Sequence, residues 1–233
     1  MPLLRTLKDV ARHGLRRLGY DRHFSYLGGS RQQNFTAIYD QKIWTHGDES
    51  APLSGHGSSL QATERLRQAL PNVLRRIGAE TLLDLGCGDF TWMQHIDLPC
   101  NYIGIDIVES VIANNNNDFQ SEGRSFIVAD FVEEIPVKAD VVLSREVLFH
   151  LSFNDSLRGL RNALDSGCSF FLLTSDASAA FNADIQSGDF RSLNLEKRPF
   201  RLPTPQLRID DGEVFGGRFV GLWTASDVRN AIA

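Results

Sequence analysis

Long apolar runs are what this chain most plainly lacks. No stretch of its 233 residues approaches 18 consecutive apolar positions, so a membrane-spanning helix is not expected. The first residues lack the apolar centre of a secretory signal, because Arg5, Lys8 and Asp9 interrupt it. Cysteine is scarce as well. Cys87, Cys100 and Cys168 are widely spaced and match no ligand pattern, so no metal is expected and a reduced, cytoplasmic protein is the simplest account. Positive charge is also in deficit, with 24 Lys and Arg against 29 Asp and Glu. That balance argues against a nucleic-acid enzyme, which needs a dominant basic face. With 42% hydrophobic and 23% charged residues, the chain has the composition of a folded globular protein.

Two further absences narrow the reading at one stretch, Thr81-Leu82-Leu83-Asp84-Leu85-Gly86-Cys87-Gly88-Asp89-Phe90. Its apolar run is too short for a buried helix and is bounded by turn residues, as in a parallel strand. Gly86 and Gly88 remove Cβ atoms that would keep a ligand from the backbone, and a helix is expected to start at Asp89. The dinucleotide fingerprint needs a third glycine at position 91, where Thr91 stands, and the phosphate-loop motif is missing altogether. A carboxylate at Asp84 would repel a pyrophosphate and welcome an ammonium group. Tyr102-Ile103-Gly104-Ile105-Asp106 and Ser125-Phe126-Ile127-Val128-Ala129-Asp130 repeat the pattern of a strand ending in an acid. Asp106 lies 18 residues past Gly88, close to the spacing of about 20 expected of a ribose-binding carboxylate. Three acids at successive strand ends suit a ligand with a cationic amino acid part, a ribose and an adenine.

In these segments, and in Asp140-Val141-Val142-Leu143-Ser144, the sequence resembles the class I S-adenosylmethionine-dependent methyltransferases over roughly residues 59 to 175. The resemblance implies a Rossmann-like, doubly wound α/β fold. Its sheet would have seven mostly parallel strands, helices on both faces and an N-terminal helical extension. It implies S-adenosylmethionine as cofactor, with Gly86 and Gly88 under the methionine part, Asp106 on the ribose hydroxyls and Asp130 on the adenine amino group beside Phe131. Asp84, Cys87, Ile107, Arg145 and Trp44 complete the expected cofactor-binding set. The N-terminal part resembles a group of bacterial small-molecule methyltransferases of unsettled substrate.

Two domains are expected, 1–58 and 59–233. Residues 1–31 carry seven basic against two acidic side chains, a net +5, with apolar residues at helical spacing from Leu3 to Leu18. This basic helix is expected to dock on its own domain or on a second copy, which would make a homodimer. Trp44, His46 and the loop Ser54-Gly55-His56-Gly57-Ser58-Ser59 read as a lid ahead of the nucleotide unit. A helix is expected over 60–77, with Pro71 inside it and Gly78 as its left-handed cap. A second is expected from Glu109, its end frayed at the surface by Asn114-Asn115-Asn116-Asn117.

Candidates for chemistry follow the fourth strand. Glu146 and His150 are four apart and would share one face of a helical turn, as a base held by a carboxylate or as two metal ligands. Some related O-methyltransferases that bind a divalent ion carry an acid just before the histidine. Phe149 stands there, so no metal is expected. Phe200 and Arg201, in a proline-rich stretch from Pro199 to Pro205, read as a substrate cover. Val214 to Leu222 reads as a closing antiparallel hairpin. The expected function is methyl transfer to an oxygen or nitrogen of a small molecule. The alternative is a non-catalytic partner protein of the same fold, acting through its basic helix.

Overall fold

The computed structural model describes residues 7–8, 10–11, 27–212 and 216–233. The expected basic helix therefore lies largely outside the described residues. Seven strands form one sheet: β1 (Thr81–Leu85), β2 (Asn101–Asp106), β3 (Arg124–Val128), β4 (Val141–Ser144), β5 (Phe170–Asp176), β6 (Leu207–Asp210) and β7 (Arg218–Thr224). Their order is β3-β2-β1-β4-β5-β7-β6. The first five strands are parallel, and β7 runs antiparallel to both β5 and β6. The strand order reverses at β1, so the crevice beyond β1 and β4 is where a ligand belongs in such a sheet.

Alternation along the strands builds a core on each face. Leu83, Leu85 and Val142 pack with α4 (Phe153–Asp165) and α5 (Ala225–Ile232) through Leu160, Ala163, Val228 and Ile232. Leu82, Val141 and Leu143 pack with α2 (Glu64–Ile77) through Leu66, Leu70 and Leu74. Full burial of each such side chain stabilises the fold by about 1.5–3 kcal/mol. Helix α2 runs on through Pro71 and ends at Gly78, whose φ of 66° makes the left-handed cap. Ala79 N–H then reaches Leu74 O at 3.0 Å, closing the cap.

Three local expectations are corrected. No α-helix begins at Asp89. Phe90 takes a φ of 57° and only a 3-10 turn, Met93–His95, follows, because Phe90, Trp92 and Met93 all turn inward. The asparagine run does not fray α3 (Glu109–Phe119), which continues through it with Asn115 buried. Residues 177–206 form no helix or strand, yet Leu193, Leu195, Phe200 and Leu202 anchor them in the core. Phe200, expected at the centre of a substrate cover, is instead fully buried against Phe153 in the core, while Arg201 is exposed. The closing hairpin is β6–β7, with Val214 outside the described residues.

Candidate functional site

Beyond the carboxyl ends of β1, β2 and β4 lies a cavity enclosing about 870 Å³, open solvent at its mouth included. Every residue singled out above for cofactor or chemistry lines it: Trp44, Asp84, Gly86, Cys87, Gly88, Asp106, Ile107, Asp130, Phe131, Arg145, Glu146 and His150. His46 is not among them; it is exposed and stacks on His56, ring centroids 6.0 Å apart.

The glycine turn is fixed by backbone geometry. Gly86 N–H and Cys87 N–H both donate to Ile105 O, at 2.8 and 3.0 Å, tying the end of β1 to β2. Gly86 and Gly88 have φ of 71° and 59°, which any side chain would strain. The space a Cβ would take is filled by protein: by Val147 Cγ2 at 2.7 Å for Gly86, and by Ser54 Oγ at 2.3 Å for Gly88. The glycines therefore admit other parts of this chain as well as exposing backbone. Asn115 Nδ2 donates to Gly88 O at 2.7 Å, so α3 holds the turn from beneath. A buried Asn in a polar run carries no periodic signal, and sequence reasoning missed it.

The three strand-end acids differ in how they are held. Asp84 accepts the Tyr102 hydroxyl at 2.8 Å, and burial pushes its pKa up to about 7 against that hydrogen bond. Asp106 accepts Gly88 N–H at 3.1 Å and Val108 N–H at 3.0 Å, and burial pushes it up to about 6. Asp130 accepts Val132 N–H on one oxygen and the Arg31 guanidinium, at 3.0 and 2.8 Å, on the other. Arg31 also meets Asp155 at 3.1 Å, and Glu133. It is the first residue of α1 (Arg31–Asp40), started by a capping box between Ser30 and Gln33. The acids that Arg31 meets lie 99 to 124 residues away and left no sign in the sequence.

Residues 35–58 close the cavity. Trp44 leans on Phe35, Tyr39 and His150, with centroids 6.2, 5.5 and 4.7 Å apart. Ser54 N–H donates to Asp89 Oδ2 at 3.1 Å while Asp89 N–H donates to Ser54 Oγ at 2.9 Å, and the same hydroxyl meets Tyr39 OH at 2.9 Å.

After β4, Arg145 lies bidentate on Asp211, both contacts 3.0 Å, with its guanidinium 5.3 Å from the Trp92 ring centroid. Its charge is thus spent inside the protein. The expected helical turn carrying Glu146 and His150 does not form. Glu146 takes a φ of 63°, its N–H donates to Thr174 Oγ1 at 3.0 Å, and its Oε2 accepts from Arg218. His150 instead meets Asp189 O at 2.9 Å through Nδ1. A carbonyl only accepts, so Nδ1 carries the proton and Nε2 the lone pair. Burial, then Arg218 and Arg191, push the imidazole down to about 3.

A sheet of this order, with an antiparallel seventh strand and acids at the carboxyl ends of β1, β2 and β3, defines the class I S-adenosylmethionine-dependent methyltransferase fold. Residues 78–201, more than half of the chain, match the family described as a methyltransferase domain, and the chain belongs to it. No curated protein matches. Among solved structures it is similar to magnesium protoporphyrin IX methyltransferase (ChlM) from Synechocystis PCC 6803 with bound S-adenosylmethionine. That match has TM-score 0.54 and 13% identity, over 86% of this chain and 94% of the other. The DhpI complex with S-adenosylhomocysteine matches at TM-score 0.53 and 13% identity, over 83% and 97%. The [4+2]-cyclase SpnF matches at TM-score 0.53 and 18% identity, over 72% and 70%. At these identities the likeness is one of fold.

Proposed function

We propose that this methyltransferase domain binds S-adenosylmethionine in the cavity beyond β1 and transfers its methyl group to an oxygen or nitrogen of a small molecule. One observation carries the reading. Asp84 and Asp106 are buried carboxyls on the cavity wall that form no ion pair among the described residues, and burial raises both, at Asp84 in spite of the more distant Arg145. A ligand bringing an ammonium group and ribose hydroxyls supplies the partners these acids lack. The bound cofactor contributes an electrophilic methyl group on a sulfonium. The chain's own residues bind, orient and exclude water. The glycine turn and Asp84 receive the methionine part, Asp106 receives the ribose, and Ile107 and Phe131 flank the adenine. Asp130, already holding Arg31, has only its Oδ1 side left for an adenine amino group.

Residues 31–58 act as the lid in this reading, Trp44 and Ser58 lying over the cavity. A dry, aligned site is the main requirement, since positioning alone reaches effective molarities on the order of 10⁵ to 10⁸ M. His150 orients rather than deprotonates: at a pKa of about 3 it is neutral at working pH and offers Nε2 as a hydrogen-bond acceptor. Calorimetry tests the reading. S-adenosylmethionine and S-adenosylhomocysteine are expected to bind, and NAD far more weakly; NAD binding without either would overturn it.

A further inference from the structure

One oxygen in the cavity wall remains unexplained by cofactor binding. Glu146 lines the cavity, and its Oε1 is buried without a hydrogen-bond partner among the described residues. Buried polar atoms left in this state are rare and call for a reason. The carboxylate is not there by looseness. Its backbone is held in the left-handed region, its N–H is tied to Thr174, and its other oxygen is taken by Arg218. Gly57 closes over the pair, where an added Cβ would lie 3.7 Å from Oε2. A non-glycine residue in that conformation marks a site where geometry has been favoured over ease of folding.

Charge around this atom selects what can approach it. Arg218 pairs with Glu146 and Asp211 with Arg145, so neither carboxylate stands alone as a counter-charge for a cation. The arginines at 218 and 191 that keep a proton off His150 would equally disfavour an ammonium group beside it. An anionic group with no hydrogen to donate finds no partner in Glu146 Oε1, which can only accept. What remains welcome is an uncharged group with a hydrogen to donate. Simple amines are largely protonated near neutrality, which leaves hydroxyls. We propose that Glu146 Oε1 is the recognition atom for the methyl acceptor and that the acceptor is an uncharged alcohol or polyol donating its O–H to that oxygen. His150 Nε2 stands on the same cavity wall as a second acceptor. This inference rests on the methyl-transfer reading.

Saturation-transfer NMR on the full chain loaded with S-adenosylhomocysteine tests it without a known substrate. The probes are uncharged glucose, galactose and myo-inositol, cationic glucosamine and anionic glucuronate. Signal is expected from at least one uncharged polyol and not preferentially from glucosamine or glucuronate. It should fall at least tenfold in Glu146→Gln, while calorimetry gives S-adenosylhomocysteine binding within threefold of the parent. Glu146→Asp keeps the charge against Arg218 but withdraws the oxygen, and it decides the matter in the same way if the Gln variant does not fold. Absence of any polyol signal, preference for glucosamine or glucuronate, or polyol signal undiminished in the folded variant would each overturn the proposal. A parent protein that fails to take up S-adenosylhomocysteine would instead overturn the methyl-transfer reading beneath it.

Discussion

The carboxylates around the cavity fall into two groups according to what holds them. Those of the β1–β2 side, Asp84 and Asp106, rest on neutral donors, a tyrosine hydroxyl and two backbone amides. Those on the other sides, Asp130, Glu146 and Asp211, each face an arginine. A buried carboxylate held by neutral donors keeps its need for a positive partner; one already paired does not. The first group is therefore poised for a ligand with cationic character, and the second, its charge already paired, has at most a single oxygen left for a neutral donor, as at Glu146 Oε1. Sequence position alone puts Asp84, Asp106 and Asp130 in one class, and the structure divides them.

Asp106→Asn should break this division most severely. It keeps one acceptor but turns an amide donor towards partners that themselves donate. With hydrogen bonds to a charged group contributing about 1.5–3 kcal/mol each, affinity for S-adenosylhomocysteine should drop at least tenfold by calorimetry. Unchanged affinity would make Asp106 a turn residue only. Arg31→Ala probes the opposite group. Its guanidinium is about one-fifth exposed and meets three acids, so its loss should loosen α1 and weaken cofactor binding roughly fivefold, a change of about 1 kcal/mol. Faster proteolysis of residues 31–58 in the variant should accompany it, and equal rates would contradict the role given to α1.

The pH response sharpens the contrast further. Asp84 has a folded pKa raised to about 7, so between about pH 4 and 7 the folded state holds more protons than the unfolded one. Its contribution to stability is full below about pH 4 and is lost as pH rises through 7. Asp84→Asn should therefore lose less melting temperature than the parent between pH 5 and pH 8, by a few degrees, when no ligand is present. Cofactor affinity of the parent should move the other way and strengthen over the same range. The smallest effect expected is none at all: with His150 near pKa 3, the rate profile should show no histidine inflection between pH 6 and 8, and one that vanishes in His150→Asn would restore it as a base.

Much of the first group was legible because it is local. A short apolar run, a Gly-x-Gly turn and an acid at the strand end all lie within ten residues, and β1, β2, β3 and β4 follow the expected order. The second group was not, because an ion pair has no sequence signal when its partners lie far apart. Arg31 was counted as part of a basic N-terminal tract, and Arg218 and Asp211 were not singled out at all. Glu146 and His150 show the remaining limit. A four-residue spacing predicts a shared face only if the backbone is helical there, and the φ of 63° at Glu146 separates them. Asn115 was missed for a similar reason, since only the approach of α3 to Gly88 gives it a task.

Residues 31–58 are fastened to the rest of the domain at several places, among them Arg31 on Asp130 and the reciprocal Ser54–Asp89 pair beside the glycine turn. If residues 31–58 are the lid proposed above, a ligand the size of a nucleoside has to undo some of these fastenings and remake them in every cycle. These two consist of charged or reciprocal hydrogen bonds, which break slowly compared with the motion of a free loop. On that reading the time a spent cofactor stays aboard depends on these fastenings as well as on its own contacts. Ser54→Ala, which removes a hydroxyl without touching the cavity acids, is the change that would shorten that stay.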